Sequence, residues 1–485
     1  MRHPPARRLP DGNERMMNRK FPWPDFLRRL AVIAVPVAMQ NLLTSTGSMI
    51  DTMMIGALGE TSVGAVGLCA QFSSLMFSGY WGFVGGGMLF YSQYWGAKDD
   101  DGINRSYGLT LTFMMAVGIA FGLVATVFPE TVMNLYTDKE VFRPIGVDYL
   151  RIAGFAYPLT TFSKAMAALL RSTERVKVPL YGAVAGVTTN ILFNWLLIKG
   201  HAGFPAMGVR GAALATVIAA AVNVTVILIC VAARKHPYVL DIRRHFRWNG
   251  RFVRTYLVKC APILANEILI GVGNMLINVV LGRQSEEAVA ATAVFRTLEG
   301  LVIGFFAGFS NAASVLVGKE VGAGNHEVAW QRAIRLIYLC MAFIAFLGVT
   351  LIALHTPILR SMGLSGESLS IGFGMICVYA AAAVIRMGNW THNDTFRAAG
   401  DAAYGTILEI AFMFLMVIPL VWLSGMVWHW PFLLIFACCY ADEPIRFVLM
   451  QRHLYGGKWI QPVTPEGRDA LPAFRAAHGF AAPKE

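Results

Sequence analysis

The feature that most restricts the fold of this chain is a series of long apolar segments without a charged residue. No charge falls between Glu60 and Lys98. Four similar gaps lie between Arg105 and Glu130, Lys177 and Lys199, Arg210 and Arg234, and Arg335 and Arg360. A helix of about 20 apolar residues spans a bilayer, so each gap is long enough for one crossing. Only 14% of the 485 residues are charged, against about a quarter in soluble domains, which excludes a water-soluble globule.

The apolar runs and their breaks predict an all-α polytopic membrane protein with twelve transmembrane helices. The predicted spans are 30–58, 61–95, 106–128, 145–170, 178–198 and 208–233 in the first half, and 256–281, 287–317, 333–356, 370–396, 403–424 and 429–450 in the second. They form two six-helix bundles, at 30–233 and 256–450. The predicted segments outside the bundles are an N-terminal tail (1–29), a basic linker (234–255) and a C-terminal tail (451–485).

The basic residues predict how the chain is oriented. With both termini in the cytoplasm, 31 of the 41 lysines and arginines lie in the tails and loops of the inner side and 6 in outer loops. This asymmetry follows the positive-inside rule and accounts for the net charge of +12 without nucleic acid. The seven cysteines lie in or beside apolar segments and none is spaced C-x-x-C, so neither a disulfide framework nor a metal site is expected.

Proline, glycine and several other residues of the predicted helices recur at a fixed spacing of 226 residues. Pro36 and Pro262 each fall early in a predicted span. The same spacing pairs Gly47 with Gly273, Met49 with Met275, Gly56 with Gly282, Gly82 with Gly308, Gly96 with Gly322, Ala97 with Ala323 and Arg171 with Arg397. Because each repeat holds six helices, both halves enter the membrane in the same sense. The sequence therefore predicts a parallel repeat about an axis along the membrane normal, as in many transporters.

Six short segments resemble motifs of the multidrug and toxic compound extrusion (MATE) family, in bacterial form, over nearly the whole chain. They are Ile50–Gly59, Gln93–Asp99, Asn190–Gly200, Gly208–Thr216, Val317–Asn325 and Phe396–Asp401. The resemblance implies an exporter of drug-like compounds, often cationic or aromatic, in exchange for inward Na⁺ or H⁺ by alternating access. It implies a monomer in the bacterial inner membrane that is not an enzyme and uses no cofactor.

Three other functions are open to a polytopic helical membrane protein. A lipid-linked substrate flippase of the same superfamily usually has more spans. A membrane-embedded lipid-modifying enzyme needs a clustered nucleophile or metal motif, and the sequence contains none. A repeat around one cavity favours a transporter that works by alternating access over a channel.

Asp51 is the only charged residue in the first predicted span. A carboxylate inside a bilayer is costly unless it is paired, hydrated, ion-bound or protonated, so we expect it to function in coupling. The alternative is a helix cap near the outer surface.

Asn190 and Asn194 lie four residues apart, on one helix face. With Asp51 and the Thr216 hydroxyl they would give a hard cation such as Na⁺ a shell of oxygen atoms. The family resemblance implies a cation site at these four positions. Some family members carry a second acid where Asn194 stands, which leaves the choice between Na⁺ and H⁺ open. Hydrogen bonding between helices is the alternative role for the two asparagines.

A second group of acids lies in the later predicted spans, comprising Glu267, Glu299, Asp394 and Glu409. We expect a substrate site or a second coupling site among them, with a purely structural role as the alternative. Arg296 lies three residues before Glu299, which predicts a local ion pair. Arg386 and Lys164 are candidate partners for the remaining acids.

Overall fold

The computed structural model describes residues 21–233 and 242–480, which are helical apart from loops and one isolated bridge between Gly400 and Ile460. The α-helices are α1 Trp23–Gly56, α2 Glu60–Ala97, α3 Asp100–Val127, α4 Pro129–Tyr136, α5 Phe142–Ala153, α6 Ala156–Ser172, α7 Lys177–Ile198, α8 Val209–Ala233, α9 Ile242–His245, α10 Gly250–Leu281, α11 Glu286–Gly322, α12 His326–Ala353, α13 His355–Ser361, α14 Gly366–Ala398, α15 Tyr404–Phe412, α16 Ile418–Trp422, α17 Phe432–Cys438, α18 Glu443–Tyr455 and α19 Pro465–Ala477. Two π-helical segments, Met413–Val417 and Leu423–Val427, flank α16.

Within the described ranges, ten helical runs are long and apolar enough to cross a membrane, the last being Tyr404–Val427. The two remaining predicted spans, 145–170 and 429–450, are broken helices made of α5 with α6 and α17 with α18. Ten continuous crossings and two broken ones give the twelve that the apolar runs predict. The all-α fold class is confirmed.

Local signals set the helix ends. α1 begins at Trp23, seven residues before the predicted start, because proline suits the first turn of a helix and Pro22 and Pro24 stand there. Pro36 and Pro262 lie inside α1 and α10, at equivalent places in the two repeats. The predicted tail up to residue 20, the linker at 234–241 and the final residues 481–485 lie outside the described residues.

The N-terminal bundle (α1–α8) and the C-terminal bundle (α10–α18) meet near one membrane face. We call it the terminal face, where α1 begins and α18 ends. A buried hydrophobic cluster joins the two bundles there, with Phe26 and Val37 from α1 and Ala313 and Leu316 from α11. Nearer the membrane centre, Gly82 lies against Leu264, so small residues let α2 approach α10.

Two glycines make a reciprocal contact at the terminal face. A Cβ on Gly96 would overlap the carbonyl oxygen of Lys319, and a Cβ on Gly322 would overlap that of Gln93. Since residues 93 and 96 are the repeat equivalents of 319 and 322, the same contact is made twice. The predicted repeat thus becomes a pseudo-twofold seam between α2 and α11.

Residues 459–467, which we call the C-terminal strap, cross this seam. The backbone N–H of Val463 donates to Oε1 of Gln93 at 2.7 Å, in the N-terminal bundle. The Thr464 hydroxyl donates to the carbonyl of Gly322 at 2.7 Å, in the C-terminal bundle. Part of the predicted tail 451–485 is therefore folded against both bundles, and α19 follows it.

Polar contacts also join the bundles at the terminal face. Nζ of Lys319 lies 2.7 Å from Oε1 of Glu174. Nε2 of Gln93 donates to the carbonyl of Ala398 at 2.8 Å. The bundles are thus held together at this face by backbone packing, hydrogen bonds and an ion pair.

Candidate functional site

Asp51 lies five residues before the end of α1, in the half of the bundle away from the terminal face. α1 packs against α7, which carries Asn190 and Asn194 one turn apart. The long helix α1 thereby brings an acid from the first span to the amides of the fifth. The position of Asp51 does not support the alternative role of a helix cap, because α1 continues through Gly56.

The three side chains form a hydrogen-bonded cluster. Nδ2 of Asn194 donates to Oδ1 of Asp51 at 2.6 Å and to Oδ1 of Asn190 at 3.2 Å. Asn194 is fully buried, whereas Asp51 and Asn190 are partly exposed. A cleft of about 390 Å³, bordered by Met53 and Trp195, also reaches Asn194.

Oxygen atoms without a hydrogen-bond donor remain in this cluster. Oδ1 of Asn194 is buried and has no partner among the described residues. The Asp51 carboxylate accepts one described side-chain hydrogen bond, from that same amide. A buried acceptor that lacks a donor is costly, and a proton carrier or a cation would satisfy it. The oxygen-rich donor set fits a hard cation such as Na⁺.

Thr216 is linked to the cluster through a tyrosine that the sequence reasoning missed. The Thr216 hydroxyl donates to the carbonyl of Ala212, in its own helix, at 3.0 Å. Tyr149 interacts electrostatically with Asp51, and its hydroxyl contacts Thr216. Nothing in the sequence around Tyr149 distinguishes it from other tyrosines of the spans. The structure thus brings Asp51, Asn190 and Asn194 into direct contact, and Tyr149 connects Thr216 to this cluster.

The second predicted acid group is divided in the structure. Glu267 interacts electrostatically with Asp394, Glu409 and Arg397. Asp394 lies 3.9 Å from Nη1 of Arg397, and its side chain is 21% exposed. These groups come from α10, α14 and α15, so three helices converge on one polar region.

Glu299 lies in a different environment from Glu267. Nη1 of Arg296 is 2.6 Å from its Oε2, so the predicted ion pair is present. Nη1 of Arg386 is 2.8 Å from its Oε1, which supplies the partner that the sequence left open for Arg386. Two arginines therefore neutralise Glu299. Lys164 has no acidic partner among the described residues.

A buried arginine near the end of the last span was also missed. Arg446 is 4% exposed, and its Nη2 lies 2.7 Å from Oε2 of Glu443. Its Nη1 is 3.4 Å from Asp442 and 3.8 Å from Glu409. Arg446 lies in α18, after the break that follows α17, and its side chain is turned into the bundle. Acids three and four residues before an arginine were the signal in the sequence.

Amides complete the environment of Glu409. Nδ2 of Asn393 and Nδ2 of Asn266 donate to its Oε2, at 3.0 and 3.3 Å. No group of three or more metal-ligating His, Cys, Asp or Glu side chains occurs in residues 21–233 and 242–480. The C-terminal bundle thus holds a network of acids, arginines and amides, whereas the N-terminal bundle holds a small cluster around one acid.

Comparisons with known proteins agree with the repeat. The MatE family model matches the chain twice, at residues 36–196 and 262–423. The two matches begin 226 residues apart, at Pro36 and Pro262, and cover well over half of the chain.

Curated relatives are similar over most of their length. A probable multidrug resistance protein, YoeA of Bacillus subtilis, is 25% identical over 403 residues, covering 82% of this chain and 87% of that protein. A probable multidrug resistance protein, NorM of Geobacillus kaustophilus, is 27% identical over 344 residues, covering 69% of this chain and 73% of that protein.

Solved structures share the fold. An outward-facing MATE family transporter of the MOP superfamily matches with a TM-score of 0.80 at 15% identity, over 89% of this chain and 96% of that one. The Vibrio cholerae MATE transporter VcmN in its bent form matches with a TM-score of 0.78 at 16% identity, over 93% and 98% of the two chains.

Proposed function

Because the chain belongs to the MatE family of membrane transporters, we propose that it is a secondary active antiporter that exports drug-like compounds in exchange for inward Na⁺ or H⁺. The family is one of transporters, so the chain is not an enzyme. The names of its relatives support multidrug efflux as the type of transport. The compounds we expect are often cationic or aromatic.

The observation that carries the coupling is the hydrogen bond between Asp51 and the buried Asn194. A carboxylate in a membrane helix binds a proton or a cation more readily than it remains ionised and unpaired. The orphan Oδ1 of Asn194 gives an arriving Na⁺ a second ligand beside it. No other acidic side chain is joined to this cluster by an ion pair or hydrogen bond in the described residues, so one positive charge neutralises it.

Transport is then coupled to the cation because the charged and the neutralised cluster favour different conformations of the protein. A bound cation can shift the equilibrium between two conformations only by its differential affinity for them. α1 carries Asp51 near one end and packs against α11 near the other, so a change in the cluster can reach the seam between the bundles. Substrate and cation would each favour one arrangement of that seam.

We assign Glu267, Asp394 and Glu409 to a substrate site or second coupling site in the C-terminal bundle. Glu267 and Asp394 are both partly exposed, and their carboxyl groups interact electrostatically. Two accessible acids close together are what a site for a cationic compound requires. Glu299 differs because Arg296 and Arg386 hold both of its oxygens. It supports the bundle rather than binding a ligand.

The remaining proposals concern the surroundings. We place the chain in the bacterial inner membrane, as a monomer, with both termini and the terminal face in the cytoplasm. The distribution of lysines and arginines supports this orientation. A closed terminal face then corresponds to an outward-facing state. The partners are the lipid bilayer and small-molecule substrates, with no nucleic acid and no cofactor beyond the coupling ion.

Efflux of ethidium by purified protein in liposomes tests this function. A Na⁺ gradient and a pH gradient are imposed separately, and dye movement is followed by fluorescence. We expect one of the two gradients to drive efflux against the dye gradient. Equal flux with no gradient would overturn the proposal and favour a channel or a flippase.

A further inference from the structure

Lys164 is a cation inside the N-terminal bundle that no described acid neutralises. It lies in α6, eight residues before the helix ends at Ser172. The charged side chain with a described electrostatic effect on it is Arg171, which is also positive. A lysine at membrane depth without a counter-ion is costly, and such residues mark ligand or ion pathways.

The position of Lys164 is consistent with an internal cavity. α6 packs against α2, α3 and α8 within the bundle, and other atoms of the protein surround the Lys164 side chain. Yet part of its surface remains accessible, unlike that of its helix neighbours Ser163 and Ala165, which are buried. A side chain that is both surrounded and accessible borders space inside the protein. α6 also contacts α11, which places it beside the other bundle.

Arg171 provides a second unsatisfied cation on the same face of α6. It lies seven residues after Lys164, and positions seven apart share a helix face. Its side chain is 7% exposed, and its buried Nε has no hydrogen-bond partner among the described residues. Within residues 21–233 and 242–480, α6 thus presents two positive groups that have no anionic partner.

The internal repeat shows what is different here. Arg397, the equivalent of Arg171, has Asp394 three residues before it as an ion partner. The residue equivalent to Asp394 in the first repeat is Ala168, which is buried and neutral. The anion that the C-terminal repeat supplies from its own chain is therefore missing from the N-terminal repeat.

The opposite bundle carries the opposite charge at a similar depth. Lys164 lies eight residues from Ser172, the last residue of α6, which is about 12 Å along the helix at 1.5 Å per residue. Glu267 lies eight residues, also about 12 Å, from Lys259 in α10. Nζ of Lys259 donates to the carbonyl of Gly400 at 2.7 Å, so the Lys259 end of this distance lies at the terminal face. A compound between the bundles meets a cation on one side and an acid on the other.

We propose that Lys164 and Arg171 form an anion-binding site for the carboxylate of amphoteric substrates. The positive group of the same compound then faces Glu267 and Asp394 in the C-terminal bundle. This inference rests on the proposed export function and specifies its substrate class as compounds that carry both charges. A lipophilic cation that lacks a carboxylate would use the C-terminal acids alone.

The test compares two ligands that differ only in the anionic group. The probes are a fluorescent quinolone that carries an amine and a carboxylic acid, and the methyl ester of the same compound. Binding to purified, detergent-solubilised protein is measured by fluorescence polarisation, which needs no gradient and no coupling. The variants are Lys164→Gln, Lys164→Arg and Arg171→Gln, with Lys177→Gln as the control because Lys177 is exposed near the terminal face.

We expect Lys164→Gln to raise the Kd of the acid about tenfold or more, the loss expected for one charge-assisted contact, and to change the Kd of the ester less than about twofold. Lys164→Arg should restore most of the acid binding, and Lys177→Gln should resemble the wild type. An equal change for acid and ester, or no change for either, would overturn the anion site. Absence of gradient-driven ethidium efflux by the wild type would instead contradict the export function.

Discussion

Asn194 donates a hydrogen bond of 2.6 Å from Nδ2 to Oδ1 of Asp51, joining α7 to α1 across 143 residues of sequence. The same nitrogen contacts Oδ1 of Asn190, so the amide is fixed with its own oxygen left unpartnered. One side chain therefore both orients the acid and offers a ligand beside it. We propose that this pair is the coupling centre of the protein.

Substitutions of Asn194 separate these two contributions. Asn194→Leu removes the donor and the oxygen, and we expect ion-driven efflux to fall at least about tenfold. Asn194→Asp keeps an oxygen and adds a negative charge, which strengthens the binding of a hard cation. We therefore expect its efflux at alkaline pH to depend more on Na⁺ than that of the wild type. Initial rates of ethidium efflux in proteoliposomes measure both, and equal rates in the two variants would contradict the assignment.

Glu267 and Glu299 should respond differently to loss of charge. Glu267→Gln is expected to leave the fold intact and to weaken ethidium efflux about tenfold, because a cation loses one charged contact. Glu299→Gln leaves Arg296 and Arg386 without their shared anion and should lower stability by about 3–5 kcal/mol. Thermal unfolding in detergent and efflux rates distinguish them. Similar unfolding temperatures for both variants would show that the two acids are not divided as described.

Arg446 is expected to stabilise the C-terminal bundle. Arg446→Met leaves Glu443, Asp442 and Glu409 as neighbouring buried acids and should cost about 3–5 kcal/mol. The matched control is Arg452→Gln, in the same helix, because Arg452 is exposed. The measurement is the thermal unfolding midpoint of each purified variant. A midpoint for Arg446→Met that equals that of the control would refute the role.

The reciprocal glycine seam predicts a conformational effect. Gly322→Ala forces a methyl group onto the carbonyl of Gln93, and overpacking of this kind costs about 1–3 kcal/mol in the closed arrangement. We expect the population to shift toward an open terminal face. Spin-label distances between the terminal ends of α2 and α11 measure the shift. Gly271→Ala is the control, since a Cβ there contacts nothing within 4 Å, and an equal effect of both variants would disprove the seam.

The helices and the repeat could be read from the sequence because they depend on local composition. Charge-free segments predicted the crossings, and the spacing of Pro36 and Pro262 predicted the repeat that the family model then matched twice. The ion pair of Arg296 with Glu299 was predictable for the same reason, since three residues separate them along one helix.

Contacts between distant helices could not be read in this way. The Asp51–Asn194 pair was expected from the family resemblance, because no local rule places two residues 143 positions apart together. Tyr149 was missed, as its role depends on how α5 packs. The inward position of Arg446 depends on the break before α18, and apolar periodicity does not predict that break.

The most direct test of the account compares Asp51→Asn with Asp148→Asn under the gradient that drives the wild type. Asp148 is also an acid of the N-terminal bundle, but its side chain is 38% exposed and it pairs with Arg210 at 2.9 Å. The measurement is ethidium efflux in proteoliposomes that contain equal amounts of folded protein. We predict that Asp51→Asn abolishes gradient-driven efflux and that Asp148→Asn retains it. Efflux at the wild-type rate by Asp51→Asn would contradict the claim that Asp51 is the coupling acid.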